Sequence, residues 1–482
     1  MDDRDTAGNP LFNRRGFLRR FGLGAAALGA GRALGDEWVA SAKTLPEGSV
    51  GDPKNVWFGQ RIFPLPHTIE DGPSCREENG RIVMPAREVP VFHRADVAVV
   101  GGGPAGFAAA IAAARTGAKT VLIEKSGSLG GLFTNGMVLI MLCTSAEEDG
   151  KYRLVTRGIC EEFMLRAQKM GPYASTGPVP AGRHWQPTVD PEAAKYLMDQ
   201  MCAEAGVETF FHASGIDVVQ EGDAVRGVVF SSKQGFQAVM ARQVVDCTGD
   251  GDIFFAAGCG YRQITHGIGF AVRLGNIDRV TAKAPPPPID GDPIPERWPL
   301  RSNEGNPATW WGGALGPKGD GLSVRDLSRA EVEHRRRWWK HVEIMRGTPG
   351  WEKTFILNTC SQIGPRATRI LESTVVVDRA ATDAGFAEKD IVGWFGTDGP
   401  HPAMPIPYGV MVPKKGENVL AAGRCIGAPD TIDAFRLICP CFVTGQAAGT
   451  AAALAAARNI APRALPVSDL RRRLAADGVF LG

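Results

Sequence analysis

A glycine-rich segment between two apolar runs constrains the fold of this chain more than any other feature. Residues 96–100 are mainly apolar, and the hexapeptide GGGPAG follows at residues 101–106. An alanine-rich stretch then leads to a second apolar run, which ends at Glu124. This order predicts a strand, a tight turn, a helix and a second strand, which together are typical of a dinucleotide-binding βαβ unit.

Each glycine of the turn has a physical role in such a unit. Gly101 permits the tight turn, Gly103 lets the backbone approach a pyrophosphate, and Gly106 lets the helix pack closely on the sheet. The helix N-terminus offers free N–H groups to the phosphates. Glu124 lies 23 residues after Gly101, where its carboxylate can accept from both hydroxyls of an adenosine ribose. The unit alone is compatible with NAD or FAD.

Length, charge and cysteine content limit the number of domains, the partners and the metal or disulfide sites that we expect. A length of 482 residues predicts two or three domains. The net charge is only +2 and the basic residues are dispersed, so we expect no nucleic-acid partner and no charged membrane-binding surface. The ten cysteines have irregular spacing without paired CxxC motifs, so we predict neither a metal site nor a disulfide scaffold.

The N-terminus has the features of an export signal. Arg14 and Arg15 precede a mild apolar run over residues 21–31, and small residues at 40–42 offer a cleavage site. The apolar run has 11 residues, which is too short for an ordinary transmembrane helix. The segment resembles a twin-arginine signal. We therefore expect export through the twin-arginine translocase to the periplasm or the extracellular space.

The pattern along the chain predicts an α/β fold with a Rossmann-like parallel sheet, a β-meander and an inserted α+β cap. Alternating apolar runs at residues 216–219, 224–231 and 236–245 predict the meander. Asp190-Pro191 predicts the start of a helix that ends at Gly206. The predicted segments are 1–42 (signal), 43–93 (extended segment), 94–273 (first part of the nucleotide-binding domain, with an insertion around 135–190), 274–358 (substrate or cap domain), 359–465 (second part of the nucleotide-binding domain) and 466–482 (tail).

One helix is predicted inside the cap. Ser328 and Glu331 have the spacing of a capping box and mark its predicted start. The predicted apolar face consists of Val332, Trp339, Val342 and Met345.

Several later segments, most of them with glycine, add to this pattern. They are DCTGDGD at 246–252, IGPR at 363–366, IPY at 406–408, GRC at 423–425 and GQAAG at 445–449. With residues 101–106, Glu124 and the LGG of 129–131, they resemble the FAD-dependent oxidoreductases that have a glutathione-reductase-like FAD domain. The flavoproteins of fumarate reductase and succinate dehydrogenase are more distant relatives. The resemblance covers about residues 85–460 and implies FAD as the cofactor.

The resemblance also implies which residues contact FAD. It places the glycine turn at the pyrophosphate, Glu124 at the ribose, the backbone of Val218 at the adenine, and residues 446–449 at the flavin ring. The complete implied set is Gly101, Gly103, Pro104, Ala105, Gly106, Glu124, Lys125, Gly130, Gly131, Val218, Thr248, Gly249, Gly423, Arg424, Gln446, Ala447 and Gly449.

We expect a dehydrogenase that transfers a hydride between FAD and a CH–OH or CH–CH bond of an organic small molecule. Only one complete dinucleotide fingerprint is present, so the electrons are expected to pass to a quinone or a redox protein rather than to a nicotinamide. A flavin monooxygenase and a non-catalytic FAD-binding protein remain alternatives. The monooxygenase is disfavoured because Gly423-Arg424 replaces the Gly-Asp turn typical of aromatic hydroxylases.

Four side chains are candidates for catalysis. Arg424 and Arg436 can polarise a carbonyl or carboxylate or stabilise a reduced flavin, although pairing of Arg436 with a nearby aspartate is equally compatible with the sequence. His401 or Tyr408 is the candidate base. The sequence Cys439-Pro440-Cys441 is compatible with a redox pair, but buried packing is the better interpretation.

Overall fold

The computed structural model describes residues 75–177, 182, 184–282, 300–303, 306–311, 318–397 and 402–482, without the side chains of 300–318 and 382–384. The chain has two compact units, Met1–Glu88 and Val89–Gly482. The proposed signal and residues 43–74 lie outside the described residues. In the first unit, a hairpin joins Arg76–Glu78 to Arg81–Val83. Asn79 and Gly80 both have positive φ, as a two-residue type I′ turn requires.

The described strands are, in chain order, β1 Arg76–Glu78, β2 Arg81–Val83, β3 Val91–Val100, β4 Thr120–Ile123, β5 Ser145–Glu148, β6 Lys151–Leu154, β7 Glu208–Phe210, β8 Ser214–Glu221, β9 Ala224–Ser232, β10 Gly235–Asp246, β11 Tyr261–Gln263, β12 His266–Gly269, β13 Val272–Gly275, β14 Leu300–Asn303, β15 Asn306–Trp311, β16 Lys318–Gly319, β17 Phe355–Thr359, β18 Gly364–Pro365, β19 Arg369–Leu371, β20 Ile391–Phe395, β21 Met404–Pro407 and β22 Val419–Ala421. The described α-helices are α1 Pro104–Arg115, α2 Ile159–Lys169, α3 Pro191–Ala205, α4 Asp252–Ala256, α5 Val324–Arg346, α6 Arg379–Ala384, α7 Ile432–Phe435, α8 Ile438–Arg458 and α9 Val467–Ala476.

A seven-stranded sheet forms the centre of the second unit. Its order is β7-β4-β3-β10-β9-β8, and β22 also pairs with β10. Strands β7, β4, β3, β10 and β22 are parallel, whereas β8, β9 and β10 form an antiparallel meander. The predicted α/β class, with its parallel sheet and meander, is confirmed. Because β10 belongs to both parts, the meander leads directly back to the carboxyl edge of the parallel sheet, where ligands of such folds bind.

Helices α1 and α8 pack so closely that the backbone of one contacts the backbone of the other. A Cβ atom at Gly445 would overlap the carbonyl of Ala105, and one at Gly449 would overlap the carbonyl of Ala109. Within the described part of the chain, α8 alone is long and apolar enough to span a membrane. However, 94% of its most apolar window is buried inside the protein, as in the core helix of a globular fold.

The predicted cap region contains a four-stranded antiparallel sheet and helix α5. The order of this sheet is β14-β15-β13-β17. Helix α5 begins earlier than predicted, because Ser323 is its N-cap and accepts a hydrogen bond from the backbone N–H of Asp326. Ser328 lies inside the helix.

The buried face of α5 differs from the predicted one in two positions. Val342 and Met345 are buried as predicted, but Val332 and Trp339 are each 64% exposed. The buried stripe instead continues through Ala330, His334 and Trp338 at a spacing of four residues.

Four predicted boundaries need correction, and those after residues 273 and 358 fall inside β13 and β17. Strand β3 begins at Val91, so the boundary at residue 93 falls inside a strand. Residues 466–482 are not a tail, because α9 lies within them and buries Leu470 and Leu474 completely. The periodicity of this short helix was hidden by its four charged residues. The helix predicted after Asp190 is confirmed: the Asp190 carboxylate accepts from the N–H groups of Glu192 and Ala193, and Gly206 closes the helix in a left-handed conformation.

Candidate functional site

A deep cleft runs along the carboxyl edge of the parallel sheet. Its empty volume is about 1160 Å³, counting the solvent at its mouth. The cleft is lined by residues from the glycine turn, the following strands and loops, and the start of α8. They include Gly101, Gly103, Pro104, Ala105, Glu124, Lys125, Gly131, Phe133, Val138, Ile140, Leu142, Ala213, Ser214, Gly215, Thr248, Gly249, Gln362, Gly423, Arg424, Arg436, Leu437, Ile438 and Cys441. Most residues implied for FAD are therefore brought together.

The glycine turn is built from close backbone approaches. Gly101 has φ of 95°, and a Cβ atom there would overlap the carbonyl of Cys247. A Cβ atom at Gly106 would overlap the carbonyl oxygen of Gly101. At Gly103, by contrast, a Cβ atom would meet nothing within 4 Å. Gly101 and Gly106 thus shape the turn, while Gly103 leaves open space above it.

The N-terminus of α1 is available to an anion. No side chain caps the helix at Gly103, and Pro104 occupies its first turn. The uncapped N–H groups and the helix dipole together suit a pyrophosphate. Gly130 and Gly131 lie beside this turn, since the N–H of Gly130 donates to the carbonyl of Gly102 at 2.7 Å.

Glu124 is held in the position expected for a ribose contact. It is buried, and its Oε2 accepts from the N–H of Gly102 at 2.6 Å. Its Oε1 accepts from the N–H of Ser126 at 2.7 Å. A carboxylate has about four lone-pair sites, so both oxygens retain capacity to accept from ribose hydroxyls.

The adenine contact implied at Val218 needs correction. The N–H of Val218 donates to Asp217 Oδ1 at 2.8 Å, and Val218 does not line the cleft. The backbone that reaches the cleft is that of Ala213, Ser214 and Gly215. The sequence placed the strand start at residue 216, whereas β8 begins two residues earlier at Ser214.

Asp246 organises the second turn of the site. It is fully buried, and its two oxygens accept from the N–H and hydroxyl of Thr248 and from the N–H groups of Ile253 and Phe254. Burial raises the pKa of Asp246 to about 6, and these hydrogen bonds oppose that rise. The network holds Thr248 and Gly249 against the cleft.

Arg424 is the most informative side chain at the centre of the cleft. Its Nη2 forms an ion pair with Asp250 Oδ1 at 2.7 Å, and the side chain is only 10% exposed. Its Nη1 is buried and has no hydrogen-bond partner among the described residues. A buried N–H donor without an acceptor raises the free energy of the folded protein. An anionic group in the cleft beside Arg424 would accept from this donor and remove that cost.

The far end of the cleft is formed by the start of α8. The helix begins at Ile438 without a side-chain cap, and Leu437 and Ile438 line the cleft. Gln446, Ala447 and Gly449, where the resemblance implied flavin contacts, do not line the cleft, because they lie two to three turns further into the helix.

The side chain of Gln446 points elsewhere. Its Oε1 accepts from the N–H of Ile159 at 2.9 Å, and Gly449 contacts Ala109 of α1. The glycine at residue 445 suggested a helix start, but it serves helix packing.

Three features of the cleft suit FAD. The glycine turn leaves space for a pyrophosphate, Glu124 is placed for a ribose, and Arg424 has a donor without a partner among the described residues. The uncapped start of α8 can face an electron-rich carbonyl of the flavin. We call this part of the cleft, at Leu437 and Ile438, the flavin end.

The four catalytic candidates have different surroundings. Arg424 and Arg436 line the cleft, and the pairing of Arg436 with a nearby aspartate is confirmed at Asp433. The buried hydroxyl of Tyr408 donates to the carbonyl of Pro462 at 3.0 Å, and burial raises its pKa well above the usual value. Tyr408 does not line the cleft, which removes the basis for its role as a base. His401 lies outside the described residues.

The cysteines behave as buried packing residues. None of the ten cysteines is in a disulfide, and nine are buried. Burial raises the pKa of the Cys441 thiol to about 12, so the thiolate required for redox chemistry is disfavoured. Among the residues that the structure describes, no group of three His, Cys, Asp or Glu side chains could hold a metal ion.

Three side chains near the flavin end were missed by the sequence interpretation. They are His266, Gln362 and Arg366. Arg366 belongs to the IGPR segment used for the resemblance, which could have drawn attention to its side chain. His266 and Gln362 carried no local signal, since their positions depend on strands distant in sequence.

Comparison with known proteins agrees with this geometry. The profile of the FAD dependent oxidoreductase family matches residues 96–474. A dihydrolipoyl dehydrogenase of Trypanosoma brucei brucei is 56% identical over 46 residues, which cover 10% of this chain and 10% of that protein. A thiamine thiazole synthase of Methanothermobacter thermautotrophicus is 31% identical over 163 residues, which cover 32% of this chain and 55% of that protein.

Among solved structures, a geranylgeranyl bacteriochlorophyll reductase-like protein of Thermoplasma acidophilum is 15% identical with a TM-score of 0.40, and the match covers 80% of this chain and 83% of that one. The chain spans about a tenth of the dihydrolipoyl dehydrogenase and about half of the thiamine thiazole synthase. The profile match extends over most of the chain and over every turn of the cleft. This protein therefore belongs to the FAD dependent oxidoreductase family, with FAD as its cofactor.

Proposed function

We propose that this oxidoreductase is an exported dehydrogenase. It transfers a hydride between FAD and a CH–OH or CH–CH bond of an organic small molecule. The electrons then pass to a quinone or a redox protein rather than to a nicotinamide. When bound, FAD supplies the two-electron chemistry, and the protein supplies orientation, charge and exclusion of water.

The observation that carries the proposal is the character of the flavin end of the cleft. Phe133, Ile140 and Leu142 contribute apolar side chains to the lining of the cleft, and Arg436 lines the same cleft. An apolar wall keeps water away from the reacting carbon. A fixed positive charge beside that carbon favours the alkoxide, carbonyl or carboxylate oxygen of a substrate, which is the group that a dehydrogenase must bind.

Residue 424 supports a dehydrogenase over the alternatives. Aromatic hydroxylases typically have an acidic residue after the corresponding glycine, whereas this chain has Arg424 there, paired with Asp250. The single dinucleotide fingerprint also favours a substrate, and not a nicotinamide, as the source of electrons. A flavin monooxygenase and a non-catalytic FAD-binding protein are the alternatives that the experiment must separate.

Anaerobic screening by flavin absorbance tests the proposal. Purified protein with bound FAD is mixed with alcohols, hydroxy acids and saturated acids without oxygen. Bleaching of the flavin band by one of them, reversed by a quinone, supports the dehydrogenase. Oxygen consumption that requires a reduced nicotinamide would support the monooxygenase instead. A flavin that no compound or nicotinamide reduces would favour a non-catalytic protein.

Export is tested separately from activity. The proposal rests on Arg14, Arg15 and the apolar run that follows. Replacing both arginines by lysine should trap the precursor in the cytoplasm, measured by cell fractionation. Continued export of the double variant would exclude the twin-arginine route.

A further inference from the structure

One aspartate at the flavin end is shared by two basic side chains. Asp433 Oδ1 accepts from Arg436 Nη2 at 2.7 Å and from Arg436 Nε at 2.9 Å. His266 Nε2 lies 3.1 Å from the same oxygen and 3.3 Å from Oδ2. Arg436 lines the cleft, so the arrangement holds its guanidinium at the cleft wall.

The imidazole of His266 is engaged at both nitrogens. Its Nδ1 accepts from the N–H of Gly267 at 2.7 Å, so the proton of the neutral ring lies on Nε2 and is donated to Asp433. His266 therefore adds no formal charge in this state. Its role is to fix the carboxylate that in turn holds Arg436.

Arg366 brings a second guanidinium to the same place. Its backbone N–H donates to the carbonyl of Gly267, next to His266. The side chain is partly buried, and its guanidinium forms no hydrogen bond or ion pair with any residue that the structure describes. Burial, and then the positive charge of Arg436, lower the pKa of Arg366, while Asp433 opposes this effect. The arginine nevertheless stays protonated at neutral pH.

The charges in this cluster do not balance. Arg366 and Arg436 contribute two positive charges and Asp433 one negative charge, which leaves one positive charge beside the cleft. A half-buried guanidinium next to a like charge is unfavourable unless an anion joins it. One monoanion would neutralise the cluster, whereas a dianion would leave an excess of negative charge.

A second observation points into the cleft at the same end. Gln362 lines the cleft, and its side-chain Oε1 is buried without a hydrogen-bond partner among the described residues. A ligand with a hydroxyl or amide group would satisfy it. The flavin end therefore contains both excess positive charge and an unsatisfied polar group.

We propose that Arg366 and Arg436 together receive a carboxylate group of the substrate, with Asp433 and His266 as positioning residues that hold Arg436. The planar guanidinium matches a carboxylate better than a point charge does. The inference rests on the proposed function in one respect, namely that the bound carboxylate belongs to the molecule that is oxidised or reduced. The substrate class is then a monocarboxylic acid, such as a hydroxy acid or a saturated acid.

Binding of simple carboxylates tests the proposal without turnover. Protein with bound FAD is titrated with acetate, propionate and benzoate and with the matching amides, at constant ionic strength. Binding is followed as a perturbation of the flavin absorbance. We expect each acid to bind at least about 10-fold more tightly than its amide, because charge-assisted hydrogen bonds are about twice as strong as neutral ones. Equal affinities for acid and amide would overturn the proposal.

Variants assign the effect to Arg366. Arg366→Gln should weaken binding of the acids by about 10-fold or more and leave the amides unchanged. Arg366→Lys should restore part of the affinity. The matched control is Arg226→Gln, which removes the same charge from an arginine on β9 that pairs at the surface with Glu221 of β8. FAD content and melting temperature confirm that each variant is folded.

The remaining outcomes are also decisive. Unchanged acid affinity in folded Arg366→Gln would exclude Arg366 as a ligand. Tight binding of inorganic phosphate or sulfate, equal to that of the acids, would exclude a carboxylate-specific site. If carboxylates bind through Arg366 but no compound reduces the flavin, the dehydrogenase proposal fails and the binding proposal stands. If only neutral alcohols reduce the flavin and no acid binds, the reverse holds.

Discussion

The two ends of the FAD cleft are built in different ways. At the dinucleotide end, the chain presents backbone: Gly101 and Gly106 leave no room for a Cβ atom, and the start of α1 is uncapped. At the flavin end, side chains dominate, and Arg436, Asp433 and His266 form a connected cluster. Backbone sites require particular residues at fixed spacing, whereas side-chain sites can be assembled from any segments that meet in space.

The largest effect should come from a methyl group at Gly106. Gly106→Ala places a Cβ atom against the carbonyl oxygen of Gly101, which cannot move without opening the turn. We expect a loss of about 3 kcal/mol or more in unfolding free energy, at the upper end of overpacking penalties, measured by denaturant titration. The control is Gly103→Ala, where nothing lies within 4 Å and φ is −66°. Equal stability of the two variants would contradict the backbone-built turn.

A large side chain at Gly103 should separate FAD binding from folding. Gly103→Trp directs an indole into the open cleft, so the pyrophosphate is excluded while the turn is retained. We expect FAD affinity to fall by at least about 100-fold, because several charge-assisted hydrogen bonds of about 1.5–3 kcal/mol each are lost. FAD content and circular dichroism measure the two effects. A folded variant with stoichiometric FAD would refute the pyrophosphate assignment.

Arg424 lies between the two ends and should show an intermediate effect. Arg424→Met removes the donor that lacks a partner among the described residues and leaves the Asp250 carboxylate without its ion pair. FAD affinity should fall by about 10- to 100-fold, the equivalent of one charge-assisted hydrogen bond. Isothermal titration of the apoprotein with FAD measures it. Asp250→Asn retains the guanidinium and should lose less, so an equal loss in both variants would indicate that the ion pair matters more than the FAD contact.

The smallest expected effect is a loss of stability at low pH, and it depends on a buried histidine that hydrogen-bonds to β12. His334 of α5 is buried, and its Nε2 donates to the carbonyl of Ile268, which lies two residues after His266 in β12. Burial lowers the pKa of His334; the charge of Arg337 acts in the same direction, and the Ile268 contact, Glu331 and Glu333 oppose it. The unfolded chain therefore takes up a proton below about pH 6.5 that the folded protein does not.

This difference makes stability pH-dependent. The contribution of His334 is complete above the unfolded pKa and is lost as the pH falls, by at most about 1.4 kcal/mol per pH unit. Denaturant titrations at pH 7.5, 6.5 and 5.5 should show a shallower loss for His334→Gln than for the unchanged protein. The same slope in both would show that His334 does not titrate differently on unfolding.

The sequence predicted the fold and the dinucleotide end because their signals are local. The strand, turn and helix around residues 96–125 and the helix after Asp190 are each specified by neighbouring residues. The errors lie where local signals compete with packing. Glycines at 445 and 449 suggested a ligand-binding helix start, but they let α8 approach α1. Ser328 suggested a cap, but Ser323 provides it.

The sequence by itself determined that this chain forms a parallel sheet with a glycine turn for FAD, because the required glycines and Glu124 have fixed spacing within one βαβ unit. Only the tertiary structure decided what lies at the flavin end. Asp433 and His266 are 167 residues apart, and no rule of sequence spacing relates two residues at such a separation. Their meeting depends on how β12 and α7 pack beside the cleft, and a long-range approach of this kind leaves no periodic trace in the chain.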